Sequence, residues 1–203
     1  MDRCLAAWRN VLLLLCCFGF CTTLLGCFQQ KASSSTATNH SSALLLPIVP
    51  DVTMRTIEGD TVRLSSVYAK QPLVLLVYRG VGCPMCVMNL QKLSQYAARI
   101  RGYGWNVVAL SNDSPQDNRE AIARPSLDSG FVQSGGFDIP LYSDTHHQAM
   151  EQLQCYRRDL DTERHGIFLI DQRGVLRFSA IDRRPFEDYE QLMDSLRAMR
   201  FSF

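Results

Sequence analysis

Leu73-Val74-Leu75-Leu76-Val77-Tyr78, followed by Arg79-Gly80-Val81-Gly82 and then Cys83-Pro84-Met85-Cys86, decides how this chain is read. An unbroken apolar run of that length, opened by Pro72 and closed by Arg79-Gly80, predicts a buried strand. The residues after the cysteines carry Leu90, Leu93, Ala97 and Ile100 at helical spacing, and Gly102 and Gly104 close the pattern. The two thiols therefore stand where a central strand hands over to a helix. A helix N-terminus stabilises a thiolate, so the position suits redox chemistry. Cys86 lies three residues beyond Cys83, about one helical turn, close enough for the pair to close into a disulfide and reopen.

Composition narrows the function classes. The 203 residues carry 21 Lys+Arg against 20 Asp+Glu, a net charge of +1. With the two signs balanced and no basic stripe or tail, nothing calls for nucleic acid. Of eight cysteines, Cys4, Cys16, Cys17 and Cys21 fall in an N-terminal apolar segment and Cys27 ends it. Cys83, Cys86 and Cys155 remain for the folded body, which is no disulfide scaffold.

The N-terminal segment reads as an export signal. Arg3 and Arg9 flank its start, and Val11 to Leu25 is nearly all apolar. That run is shorter than the roughly 20 residues a spanning helix needs. It ends in Leu24-Leu25-Gly26-Cys27, which resembles the lipobox of bacterial lipoproteins. The resemblance implies cleavage before Cys27 and lipidation of its thiol. The expected organisation is a signal peptide over 1–26, a flexible tether over 27–46 and a folded domain over 47–203. The expected location is outside the cytoplasm, anchored by lipid to a bacterial membrane and facing the periplasm or the cell exterior. The stretch from Gln29 to Ser42 is rich in Ser, Thr and Ala without periodicity, as a tether would be.

Within the body, Val52 to Leu64 reads as a β-hairpin about Glu58-Gly59-Asp60, and Ser65 to Lys70 as a turn or short helix. Asn106 to Leu110 is a second buried strand. Ser111 to Pro115 ends it and caps a helix. Gly130, Gly135 and Gly136 mark a loop. Ile139 to Tyr142 is a short strand, and Asp144 or Thr145 caps a helix expected to run through Cys155. Ile167 to Ile170 is a strong strand, turned by Asp171-Gln172-Arg173-Gly174 into Val175 to Ile181. Pro185 is expected to open the last helix. Strands alternating with helices predict an α/β fold whose sheet is mainly parallel, made mixed by the closing antiparallel pair, with helices on both faces. Sites in such sheets lie beyond the carboxyl ends of the strands, where Cys83 stands.

Leu76-Val77-Tyr78-Arg79-Gly80-Val81-Gly82-Cys83-Pro84-Met85-Cys86 resembles the redoxin segment of thioredoxin-fold proteins. It looks most like the peroxiredoxin-like branch of the alkyl hydroperoxide reductase and thiol-specific antioxidant family. Val107 to Ser114, Ile139 to Asp144 and Gly166 to Gly174 are similar to later segments of that family, in the same order. The resemblance implies a thioredoxin-like fold and thiol-based reduction of hydroperoxides or protein disulfides. Two positions depart from it. Peroxiredoxins place a threonine or serine three residues before the reactive cysteine, where this chain has Gly80. Thioredoxins place a cis-proline before the later strand, where this chain has Glu163-Arg164-His165-Gly166.

Cys83 is the expected nucleophile, attacking a peroxide oxygen or a disulfide sulfur, and Cys86 the expected resolving thiol. Pro84 presets the helix start. Arg79, Arg164 and His165 are candidates to favour the Cys83 thiolate. Cys155 is expected to be a buried small hydrophobe, with a second resolving role as the lesser alternative, and His146 and His147 to face solvent. No organic cofactor is implied, because the sulfur pair carries both electrons, but a thiol or disulfide electron-donor protein is. The competing reading is a copper or zinc carrier using Cys83, Cys86, Met85 and a histidine.

Overall fold

The computed structural model describes residues 47–123 and 137–199. The signal segment, Cys27, the tether, the 130–136 glycine loop and Phe201 to Phe203 lie outside them. The chain enters with Pro47 to Val49 laid along the later turn, where Val49 N–H donates to Gly174 O and Leu176 N–H to Pro47 O. The hairpin is present as β1 (Thr53–Arg55) and β2 (Thr61–Arg63), with Met54 opposite Val62. α1 (Leu64–Tyr68) is the short helix after it.

β3 (Leu73–Val77) is the central strand, buried at every position. α2 (Pro84–Gly102) begins at Pro84, ahead of the first periodic residue, Leu90. β4 (Asn106–Ser111), α3 (Pro115–Ala123) and β5 (Leu141–Ser143) follow. The chain continues through α4 (Gln148–Gln152), β6 (Tyr156–Arg157), β7 (Thr162–Glu163), β8 (His165–Ile170), β9 (Leu176–Asp182) and α5 (Tyr189–Met199). The sheet has seven strands in the order β2-β1-β5-β4-β3-β8-β9, and β6 and β7 pair separately.

The mixed α/β sheet is as expected, but it is not mainly parallel. Parallel pairing is confined to β3, β4 and β5, while β1, β8 and β9 pair antiparallel with their neighbours. The direction reverses because the chain between β5 and β8 returns through the small β6–β7 hairpin instead of a full crossover helix.

Strand alternation sorts the core into two layers. Val74 and Leu76 of β3, and Tyr78 just after it, pack with Leu90, Leu93, Ala97 and Ile100 of α2 and with Leu192, Met193 and Leu196 of α5. Leu73, Leu75 and Val77 pack on the other face with α1 and with Ala149 and Met150 of α4. Trp105 belongs to the first layer and Phe168 to the second. Burying one leucine side chain contributes about 2 kcal/mol.

Two helix boundaries differ from the expected ones. α4 ends at Gln152, so Cys155 lies beyond it. His147 is the N-cap of this helix in place of Asp144 or Thr145, while the Asp144 carboxylate accepts from Gln148 and Met150 N–H at 3.0 and 2.8 Å. Gln154 takes a φ of 61° and turns the chain into β6. α5 begins at Tyr189, four residues after Pro185. Asn89 holds the intervening loop by donating to Phe186 O, Phe186 packs edge-on against Tyr189, and Asp188 Oδ1 accepts from Gln191 N–H as the cap.

The turn after β8 is fastened by Asp171, 1% exposed. Its Oδ1 accepts from the Arg173 and Val175 N–H groups, and its Oδ2 from Arg177 Nε and Nη2. Burial pushes this carboxyl up, but the N–H donors and the Arg177 guanidinium outweigh burial and hold it below the usual carboxylate range. Its stabilising contribution is thus complete above that range and disappears as pH falls through the lowered value. Asp171→Ala should lower the unfolding free energy at neutral pH by about 3 kcal/mol in a urea melt, and Asp171→Asn should flatten the acid limb of the stability curve. An unchanged melt would mean that the turn is held elsewhere.

Candidate active site

The site begins with the first turn of α2. Cys83 is its N-cap with extended backbone, and Pro84 fills the first helical position, where no N–H is needed. Cys83 and Cys86 are joined by a disulfide, with their Cα atoms 5.2 Å apart. Cys83 Sγ also accepts from the Cys86 N–H at 3.3 Å. Cys83 is half-buried and Cys86 fully buried, so anything approaching from solvent meets Cys83 first.

The loop that presents Cys83 is tied to the neighbouring strand end. Val81 N–H donates to both Asp113 carboxylate oxygens, at 3.2 and 3.0 Å, and Ser111 Oγ donates to Asp113 Oδ2 at 2.7 Å. Burial pushes the Asp113 carboxyl above its usual range, and the Ser111 and Val81 bonds offset part of this. Gly80 has a φ of +128°, and a Cβ there would lie 2.7 Å from Asp113 Oδ1 and 2.9 Å from Asn112 Oδ1. The glycine that departs from the peroxiredoxin pattern is therefore required by this loop. Asp113 does more than end a strand. Its position after β4, the parallel neighbour of β3, is the one sequence signal that pointed to it.

Arg79 and Arg164 are engaged by other partners than the sulfurs. Arg79 Nε donates to Glu163 Oε2 at 3.2 Å, and Arg164 Nη2 to Ile181 O at 3.4 Å. Glu163 Oε1 also accepts from Asn112 Nδ2 at 2.5 Å and from His147 Nε2 at 2.7 Å. His147 stacks on Tyr156 with ring centroids 4.2 Å apart, so it does not face solvent as expected, whereas His146 is exposed. Sequence reasoning missed Glu163, which joins β7 to the cysteine loop across 84 residues.

His165 is expected to act on Cys83, and its ring stands within 4.8 Å of that sulfur, while its hydrogen-bond contact is to Cys86. Its Nε2 lies 3.2 Å from Cys86 Sγ, and its Nδ1 lies 3.0 Å from Arg183 O. Burial pushes the imidazole below its ordinary value of 6.5. The bond to Arg183 and the carboxylates of Glu163 and Asp182 act in the opposite sense without cancelling it, and Arg79 adds to the lowering. Nε2 and the two sulfurs all lie within 4.8 Å of one another. The metal-carrier reading finds no support, since the sulfurs are bonded to each other and Met85 is 55% exposed.

Cys155 packs on the opposite face of the sheet, with Phe168 and Met150. It lies so close behind Gly166 that a Cβ there would be 2.5 Å from its Sγ. The sheet separates it from Cys83, which removes a second resolving role. Burial pushes its thiol up to about 12, with Arg164 lowering it only in part. In reduced native protein, iodoacetamide at about pH 8 should leave Cys155 unlabelled until the chain is unfolded. Rapid labelling, read by peptide mass spectrometry, would contradict this placement.

The chain is similar to known peroxiredoxins. Peroxiredoxin-4 of Dictyostelium discoideum is 27% identical over 119 residues, covering 58% of this chain and 45% of that protein. Peroxiredoxin tpx1 of Schizosaccharomyces pombe is 29% identical over 101 residues, covering 50% of this chain and 51% of that protein. The chain thus spans about half the length of these curated relatives. Among solved structures, peroxidoxin BcpB from Mycobacterium tuberculosis superposes with a TM-score of 0.63 at 20% identity, covering 76% of this chain and 96% of that one. The mitochondrial 2-Cys peroxiredoxin of Plasmodium falciparum gives 0.64 at 16% identity, covering 77% and 94%. Both likenesses establish the thioredoxin-like fold. The AhpC/TSA family model matches residues 47–179, two-thirds of the chain, with Cys83, Cys86 and His165 inside the match, so this protein belongs to the AhpC/TSA family.

Proposed function

We propose that the protein is a peroxiredoxin-like thiol oxidoreductase that passes two electrons from the Cys83–Cys86 dithiol to a hydroperoxide. The observation that carries this is a half-exposed cysteine at the start of a helix, bonded to a fully buried cysteine one turn on. Cys83 attacks the distal peroxide oxygen and becomes a sulfenic acid as the O–O bond breaks. Cys86 then displaces that oxygen as water and closes the disulfide. A thiol-bearing donor reopens it.

Disulfide-bonded protein is the second substrate class. Two observations favour it: the loop excludes the usual hydroxyl at Gly80, and Met85 and Met88 stand 55% and 67% exposed in the first turns of α2. Soft unbranched side chains suit irregular polypeptide surfaces. The test offers reduced protein hydrogen peroxide and, separately, a scrambled disulfide substrate, and follows loss of the Cys83 thiol. The proposal requires loss with at least one of them well above an unfolded control, and equal rates would defeat it.

Export and lipid attachment at Cys27 belong to the same proposal, supported by Arg3, Arg9, the apolar run to Leu25 and the Leu24-Leu25-Gly26-Cys27 quartet. No helix among the described residues is long and apolar enough to cross a membrane. In cells, Cys27→Ser should release the protein from the membrane fraction and abolish labelling by a fatty-acid probe. Unchanged labelling would refute the anchor.

A further inference from the structure

We propose that His165 is the base that takes the proton from Cys86 as this thiol closes the disulfide, and that it plays no such part for Cys83. The inference rests on the Cys83-first reading above and assigns the proton that reading leaves over.

The tautomer carries the argument. The Arg183 carbonyl can only accept a hydrogen bond, so the His165 Nδ1 3.0 Å away carries the ring proton. The neutral ring then has a bare lone pair at Nε2, and this nitrogen is the one 3.2 Å from Cys86 Sγ. In the disulfide state the sulfur has no proton to give. On reduction the Cys86 S–H has Nε2 as an acceptor at hydrogen-bond distance. Cys86 is fully buried, so without a base its proton has no nearby route to solvent.

β8 fixes the aim of the ring. Strand alternation puts His165 on the face shared by Ile167 and Leu169, where Cys86 packs, and puts Gly166 on the Cys155 face. The charged groups that act on the ring are Arg79 from the cysteine loop, Glu163 from β7 and Asp182, its register partner on β9. His165 lines a cleft of about 350 Å³ together with Asp182, Arg184, Phe186 and Glu187.

The step balances without a further reactant. Cys86 sulfur attacks the sulfenic sulfur of Cys83, the S–S bond forms and the S–O bond breaks. The oxygen leaves with a proton drawn from water, as water. The Cys86 proton passes to Nε2, and the imidazolium releases it into the cleft.

The experiment mixes reduced protein with one equivalent of hydrogen peroxide and quenches at intervals with dimedone, which traps sulfenic acid. Mass spectrometry then reads the Cys83 thiol, the Cys83 adduct and the Cys83–Cys86 disulfide. In His165→Gln, loss of the Cys83 thiol should stay within about threefold of wild type, while disulfide closure slows by about 100-fold or more and the Cys83 adduct accumulates. In wild type, closure should be nearly flat between about pH 7 and 8 and fall toward lower pH as the ring protonates. In the variant it should rise about tenfold per pH unit over that range, as a thiol unaided by a base does. Closure at the wild-type rate in His165→Gln, with the same pH profile, would overturn the role of His165 alone. If the variant does not fold, a tenfold rise per pH unit in the wild-type closure step overturns it, and a flat profile supports it. A wild-type protein whose Cys83 thiol survives peroxide would instead refute the functional reading beneath it.

Discussion

Cys83→Ser protein should consume peroxide at least about 1,000-fold more slowly than wild type in a dithiothreitol-driven assay, equivalent to about 4 kcal/mol of lost transition-state stabilisation. The size follows from what is removed. A serine hydroxyl at neutral pH is neither ionised nor polarisable. Cys86 cannot take over, because it is fully buried. Cys86→Ser should behave differently. The exposed thiol remains, so the variant should reduce about one equivalent of peroxide and stall with a sulfenic acid on Cys83. The signature of the assignment is this asymmetry, one variant inert and the other limited to a single turnover. An active Cys83→Ser, or an inert Cys86→Ser beside it, would reverse the roles.

Gly80→Thr, which restores the residue type usual in peroxiredoxins, should damage the protein. A β-branched residue at a φ of +128° is strained by about 1–3 kcal/mol. Its Cβ would also press on the Asp113 and Asn112 side chains, at about 1–3 kcal/mol more. A combined loss near 4 kcal/mol should lower the melting temperature by about 10 °C in a domain of this size. Asp113 would be driven off the Val81 N–H, and the cysteine loop would lose its tie to β4. Peroxide turnover should therefore fall. A variant that melts with wild type and turns over faster would show that the loop can relax, and that the glycine is no structural requirement.

The sequence carried the framework because the framework is written in runs and periods. β3 is apolar throughout because both its faces are buried, and α2 announces itself by Leu90, Leu93, Ala97 and Ile100 on one side. The reactive pair was legible for the same reason, being a cysteine spacing at a strand-to-helix junction. The α4 boundaries were not, because His147 and Gln154 take positive φ without being glycine or asparagine. β6 and β7, two residues each, are too short to show alternation. The start of α5 depends on Asn89 reaching Phe186 across 97 residues. The polar frame of the site is tertiary in the same way. Asp113 meets Val81 across 32 residues, and His165 meets Cys86 across 79. A histidine before a strand was recognisable as a candidate, but which sulfur it faces depends on how β8 lies against α2.

The most direct test is reversible closure of the pair itself. Reduced protein is treated with one equivalent of hydrogen peroxide, digested without reduction and mapped by mass spectrometry, and a second portion is treated with excess dithiothreitol before mapping. The account predicts a Cys83–Cys86 linkage in the first portion, both thiols free in the second, and Cys155 unmodified in each. A pair that stays reduced under peroxide, or stays linked under reductant in the folded protein, would contradict it.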